Sequence, residues 1–347
     1  MKKNIFTDDI KRIFDTLTLK EKNYLRNKKI LILGSNGFIG RYFLYFFDYL
    51  NRQKYNLKID CYDNGISSAT LKNELKNIKS KNISFYKKDI NKIKFKKKYN
   101  IILFLAGIAT PSIYKKYPLE TLDTSFIGLK NCLDSIKNKR TNFLYFSSSE
   151  IYGNPDHNNI PTNENYYGNV NSFGPRSCYD EGKRIGETLC YVHYNKYRSN
   201  IKVIRPFNVF GPGMSKQDTR VIPSIVKSLR NNKNIIIFNN GKQTRTFCYV
   251  TDAITGFLKT LINGKKGQIY NIGNEKNEIS MNNLAKKIKS NFRNNSKIIN
   301  SSYPSYYPGN EPLRRCPDIS KARRELGFKP RVNIDESIDL FIKYYVS

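Results

Sequence analysis

The apolar positions of this chain gather into short blocks, and the spacing within each block separates strands from helices. Lys29 to Leu33 reads KILIL, a brief unbroken apolar run of the kind a strand needs when both its faces are buried. Similar runs occur at Leu57 to Tyr62, Ile83 to Tyr86, Ile101 to Leu105, Phe143 to Phe146 and Ile201 to Ile204. The stretch Arg41 to Leu50 is aromatic and compatible with a helix. Upstream, Ile10, Ile13, Phe14 and Leu17 fall on one helical face and predict an amphipathic helix in an N-terminal extension. Strands alternating with helical stretches predict βαβ units and a parallel sheet. Beyond about residue 206 the alternation loosens: FNVFGPG makes a Gly/Pro turn, and Pro304, Pro308 and Pro312 break up a later loop.

Composition narrows the partners. The 347 residues carry a formal charge of +33, which by itself would suggest nucleic acid or an anionic membrane. The lysines are spread along the whole chain without a long basic block, so no nucleic-acid role is expected, and the surplus charge favours an anionic small substrate instead. Six cysteines without a CxxC pair and only two histidines, His157 and His193, supply no metal site and no Ser-His-Asp chemistry. Two acidic residues occupy the start of the chain, and no apolar run approaches a membrane span, so no membrane association and a cytoplasmic location are expected. Chemistry is left to Tyr, Lys, Glu and Ser.

The first candidate site follows KILIL directly. GSNGFIG places Gly34, Gly37 and Gly40 between a predicted strand and a predicted helix, where glycine permits a tight turn and close backbone approach to a pyrophosphate. Asn36, Phe38 and Ile39 belong to the same loop, and the helix start offers free N–H groups to phosphate. Asp63, with Asn64 beside it in CYDNG, ends the second strand, where a carboxylate accepts ribose hydroxyls and repels a 2′-phosphate. That argues for NAD, although Asp-Asn-Gly is also a turn former. Asp89 and Ile90, after the third strand, are expected near the adenine, and Leu105 and Ala106, after the fourth, along the cofactor wall. The expected fold class is α/β: a Rossmann doubly wound parallel sheet with a smaller C-terminal α/β substrate lobe. Residues 1–28 form the helical extension, 29–206 the NAD-binding domain and 207–347 the substrate lobe.

A second constellation lies downstream. Tyr179 and Lys183 in SCYDEGKR are four apart, so on a helix they share a face. An ammonium held there is expected to lower the phenol's pKa and make it a base toward a hydroxyl proton. Among the 25 tyrosines one other has lysine at this spacing, Tyr24 with Lys28, and it precedes the cofactor loop. FSSSEIYG puts Ser148, Ser149 and Glu150 at the carboxyl end of the fifth strand, the edge that faces the ligand crevice in open α/β sheets. A serine there can bond the sugar oxygen being oxidised, and Glu150 can act as acid or base beside the next carbon.

Glycine loop, serine element and Tyr/Lys pair in this order resemble the extended short-chain dehydrogenase/reductase superfamily. LAGIATPSIYKKYPLETLDTSFIGLKNCL, YYGNVNSFGPRSCYDEGKR, RPFNVFGPGM, GKQTRTF and RRCPDIS narrow the resemblance to UDP-glucuronate decarboxylases, over roughly residues 29–345. The resemblance implies that Ser148, Glu150, Tyr179 and Lys183 are catalytic, and Ser149 is expected to orient the reacting group with Glu150. It also implies that Arg176, Asn208, Arg220, Arg245 and Arg315 meet a nucleotide-sugar, and that a homodimer forms through the helix of Lys183 and residues 119–138. Phe104 departs from the family's usual His, and Gly211 to Val221 diverges. A 4,6-dehydratase, which carries Asp where Ser149 stands, and a 4-epimerase, which usually lacks the Glu, are rival readings; a non-catalytic NAD-binding regulator is a third.

Overall fold

A computed structural model describes residues 5–66, 78, 80–137, 140–215, 217–303 and 312–346; Pro304 and Pro308 of the proline-broken loop and residue 138 lie outside the described residues. Two helices come first, α1 (Ile5–Thr16) and α2 (Leu19–Tyr24), the latter closed at its start by a capping box between Thr18 and Glu21. Strand β1 (Lys29–Leu33) leads through the glycine turn into α3 (Phe38–Arg52). Then come β2 (Lys58–Asp63), β3 (Ile83–Lys87), β4 (Ile101–Phe104) and β5 (Asn142–Phe146). The long helix α4 (Ser177–Tyr197) precedes β6 (Ile201–Pro206), and α5 (Val250–Asn263) precedes β7 (Gln268–Ile272).

These seven strands pair in parallel in the order β3-β2-β1-β4-β5-β6-β7, a Rossmann-type doubly wound sheet whose order reverses between β1 and β4. Both faces of the inner strands β1, β4, β5 and β6 are covered, which is why these read as nearly continuous apolar runs. Ile30, Ile32, Leu103 and Leu144 point into a core shared with α1, α3 and α5, while Leu31, Leu33, Ile102 and Phe143 point into one formed with residues 129–136 and Cys190 of α4.

A second core, with Phe210, Ile225, Leu229, Phe247, Leu284 and Phe341, lies in the C-terminal part and is crossed by small sheets. The chain returns from there to the main sheet, because α5 packs on it and β7 forms its edge beside β6. Residues 250–272 therefore build the large sheet although they follow residue 207 in sequence.

The N-terminal extension is integrated into the first core. Asp9 accepts hydrogen bonds from Tyr42 of α3 (2.8 Å) and from Tyr249 (3.1 Å), and Glu21 accepts from Lys259 of α5 (2.8 Å).

Candidate active site

In open α/β sheets a reversal of strand order such as that between β1 and β4 forms a ligand crevice at the carboxyl ends of the strands, and candidate residues follow the ends of β1, β2, β4 and β5. Gly34 leaves β1 at φ +81°, and a Cβ there would lie 2.7 Å from the Ala106 nitrogen. Gly40, inside the first turn of α3, leaves no room either: its Cβ would meet the Gly34 carbonyl at 2.5 Å and the Ser35 carbonyl at 2.7 Å. Neither backbone obstacle can yield, so only glycine lets loop, helix and the β4 end close together. Gly37 caps α3, which begins at Phe38 and Ile39.

Asp63 accepts the backbone N–H of Asn36 (2.9 Å) and that of Gly65 (2.8 Å). Burial raises its carboxyl above the usual range, and these two N–H groups oppose the rise. Asn64 accepts the N–H of Ile66, so the turn-forming property of Asp-Asn-Gly and the placement of a carboxylate beside the glycine loop are realised together. Asp89 caps a short turn over Ile90–Lys92 with Ile90 buried, and the Leu105 N–H bonds the Leu33 carbonyl. Phe104 is fully buried against Phe143 and Tyr145, so its ring serves the core. A glycine-lined loop at a helix start, with a carboxylate on the neighbouring strand, fits a dinucleotide.

Tyr179 and Lys183 lie on one face of α4, both buried. The lysine ammonium donates to the Phe146 carbonyl at 2.8 Å and lies 5.8 Å from the Tyr179 ring centre. The expected fall in the phenol's pKa is not what this arrangement gives. Burial pushes Tyr179 up to about 12, with the Ser148 hydroxyl, which hydrogen-bonds it, and the Arg220 charge pulling the other way. Desolvation outweighs attraction because the ammonium points at a carbonyl rather than at the phenol. Burial draws Lys183 itself down to about 8. The rival pair, Tyr24 and Lys28, sits at the other end of the sheet, where Tyr24 accepts from Asn142 at the start of β5.

Ser148 accepts the Glu150 N–H (3.2 Å) and starts the turn that carries Ser149, which is buried, and Glu150. Glu150 is bonded on one carboxylate oxygen by Arg315 and on the other by Arg176. Burial pushes its carboxyl up, but the Arg315 and Arg176 charges prevail and hold it at about 2. The two guanidiniums thus favour the carboxylate form, which suits Glu150 to accept hydrogen bonds rather than to donate a proton. Arg245 and Arg315 are register partners in neighbouring strands, and the Arg245 charge also reaches Glu150.

Two expected substrate residues face protein groups: Asn208 donates to the Thr246 carbonyl (2.9 Å), and Arg220 is held by Asp218 (2.6 Å). Sequence reasoning misses Tyr114 and Asp180. The Tyr114 ring stacks on Tyr179 at 5.5 Å and 7°, and Asp180 accepts from Arg176 while burial and the Glu150 charge push it up to about 6. Adjacency to Tyr179 was the one signal for Asp180; nothing local marks Tyr114.

Fold and crevice define an NAD-dependent enzyme of the Rossmann type, and the chain belongs to the NAD dependent epimerase/dehydratase family, which matches residues 30–273. It is 34% identical over 321 residues to UDP-glucuronic acid decarboxylase 6 of Arabidopsis thaliana, covering 92% of this chain and 89% of that protein. It is 37% identical to UDP-glucuronic acid decarboxylase 1 of Danio rerio over 70% of this chain, a match spanning 56% of that longer protein. Among solved structures it resembles UDP-glucuronic acid 4-epimerase of Bacillus cereus in complex with UDP-glucuronic acid and NAD: TM-score 0.73, 25% identity, 91% of this chain and 98% of that one.

Proposed function

We propose that this protein decarboxylates UDP-glucuronate, giving UDP-xylose or its 4-keto form. The observation that carries this reading is Glu150 held ionised between Arg176 and Arg315, beside Tyr179 and Lys183 at the sheet's carboxyl edge. Two converging guanidiniums, one with a buried Nε that bonds nothing among the described residues, are suited to an anionic sugar. The similarity to the Arabidopsis decarboxylase supports the same reading. In the division of labour we infer, residues 29–206 with 250–272 serve the cofactor, and the rest of 207–347 serves the nucleotide-sugar.

The glycine loop (Gly34, Asn36, Gly37, Phe38, Ile39, Gly40), Asp63, Asn64, Asp89, Ile90, Leu105 and Ala106 would hold NAD, which supplies a hydride acceptor when bound. Tyr179, as the phenolate that the Lys183 ammonium would favour once cofactor is bound, takes the proton of the sugar C4 hydroxyl, and Ser148 bonds that oxygen. The resulting 4-keto group lies β to the C5 carboxylate, so carbon dioxide leaves with its bonding electrons accepted by the carbonyl. Arg176 and Arg315 hold the anion and Ser149 lines the wall, while ionised Glu150 orients both guanidiniums. Asn208, Arg220 and Arg245 complete the nucleotide-sugar site. Ser149, where a dehydratase would carry an acid, supports decarboxylation over elimination of water.

Incubation of NAD-loaded protein with a panel of nucleotide-sugars separates the rivals by product mass. Loss of carbon dioxide from UDP-glucuronate is expected; loss of water from a hexose, or isomerisation without mass change, overturns the reading.

A homodimer and a cytoplasmic location complete the proposal. Among the described residues no helix is long and apolar enough to cross a membrane. Leu119, Leu122, Phe126 and Ile127 are exposed together with Ile185, Tyr191 and Val192 of α4, an apolar surface suited to a second copy. Sedimentation should give twice the chain mass, and Phe126→Glu with Val192→Glu should give the single-chain mass; a monomeric wild type contradicts it.

A further inference from the structure

Lys183 is a buried ammonium whose one hydrogen-bond partner among the described residues is neutral, the Phe146 carbonyl, with no carboxylate within ion-pair distance. An isolated buried ammonium tends to shed its proton. Two acidic residues lie within a turn of it on α4: Asp180, which is bonded by Arg176, and Glu187, a turn further on. Glu187 is fixed from two other elements. Ser147, at the end of β5, donates its hydroxyl to one carboxylate oxygen (2.5 Å), and Arg205 of β6 clamps both oxygens at 2.9 and 2.6 Å. Arg205 also donates to the Tyr152 hydroxyl (2.8 Å) and the Glu164 carbonyl (3.1 Å), and Tyr152 donates to Asn271 of β7 (2.8 Å). The carboxylate thus ties the helix of Lys183 to the strand end that carries the serine element.

The other groups facing Lys183 are accounted for. From its own helix comes the Tyr179 ring, and from β5 the Tyr145 ring at 5.5 Å; both phenols are pushed up by burial and stay neutral. The β4 loop contributes Gly107, where a Cβ would stand 3.1 Å from the ammonium. Glu150, on the neighbouring turn, is balanced by Arg176 and Arg315. Arg205 reaches the neighbourhood through Glu187.

We propose that Glu187 is a positioning residue for the reaction: through Ser147 and Arg205 it locks the Lys183 helix onto the β5 end, and the part of its charge that Arg205 leaves unmasked favours the Lys183 ammonium. The proposal rests on the reading of Tyr179 and Lys183 as the catalytic pair. The Glu187 charge opposes the burial that draws Lys183 down to about 8, so its loss must draw the lysine lower still.

The test is the alkaline limb of kcat/KM against pH, with UDP-glucuronate as substrate. Glu187→Gln should move the limb to lower pH by about one unit. Arg205→Gln, which unmasks the carboxylate, should move it to higher pH, and Glu187→Asp should leave it in place with reduced kcat. A structural role alone would lower activity in all three without opposite displacements. An unmoved limb in Glu187→Gln, or displacement of both neutral variants in the same direction, overturns the proposal. Should Glu187→Gln fail to fold, the direction in Arg205→Gln decides. Tyr179→Phe run in parallel separates the two levels: full turnover there sinks the catalytic-pair reading, whereas lost turnover there with an unmoved limb in Glu187→Gln sinks the role of Glu187 alone.

Discussion

Glu150 receives a guanidinium on each carboxylate oxygen, and this pairing sets the chemistry open to it. Because its carboxyl is held at about 2, it loses no proton within the working pH range, and no acid break in activity should belong to it. Glu150→Gln would leave the buried Arg315 guanidinium without its counter-charge, while Arg176 keeps Asp180. Turnover of UDP-glucuronate should fall by about a hundredfold in a variant that is still folded by circular dichroism; unchanged turnover contradicts the assignment. Lysine and tyrosine behave in the opposite sense. Without cofactor, burial favours the protonated form of Tyr179 and draws Lys183 toward neutrality, so the ammonium is present below about 8 and lost above it. Activity that depends on this ammonium therefore declines on the alkaline side.

At the scale of elements, the N-terminal helix α1 links the helix after the glycine loop to the start of α5 through Asp9. Burial raises the Asp9 carboxyl from 3.8 to about 6. The folded form thus holds this proton more tightly than the unfolded chain, and the stability it contributes is present at low pH and lost as pH rises to the folded value. Wild type should lose about 3 kcal/mol relative to Asp9→Asn across that interval. Urea unfolding of both proteins over the same pH series checks this, and parallel stability curves contradict it. The inner strands β1, β4, β5 and β6 are legible in sequence because burial on both faces demands apolar runs such as KILIL and IILF, while β2 and the edge strand β3 are marked by shorter apolar stretches. The seventh, QIYNI, is an edge strand with its first two residues only partly buried, so polar residues interrupt the pattern that would have marked it. The glycine loop is legible because its constraints are local, whereas Tyr114 meets Tyr179 only through folding across distant segments.

For the molecule as a whole, a chain of charges crosses between the large sheet and the C-terminal part. Arg315 and Arg245 come from the strands of the C-terminal part, Glu150 and Arg176 from the edge of the large sheet. Neither part holds that set alone, so a ligand gripped by it must touch both. The overall charge of +33 makes the surroundings favourable to a nucleoside diphosphate, although sequence composition alone could not say where it binds. The central claim is that a proton and carbon dioxide exchange places at C5 of a nucleotide-linked uronate. Running the UDP-glucuronate incubation in D2O and recording the product by NMR tests this most directly. A pentose or 4-keto pentose carrying one deuterium at C5, formed with carbon dioxide, is the predicted result; a hexuronate inverted at C4 with C5 unlabelled would contradict it.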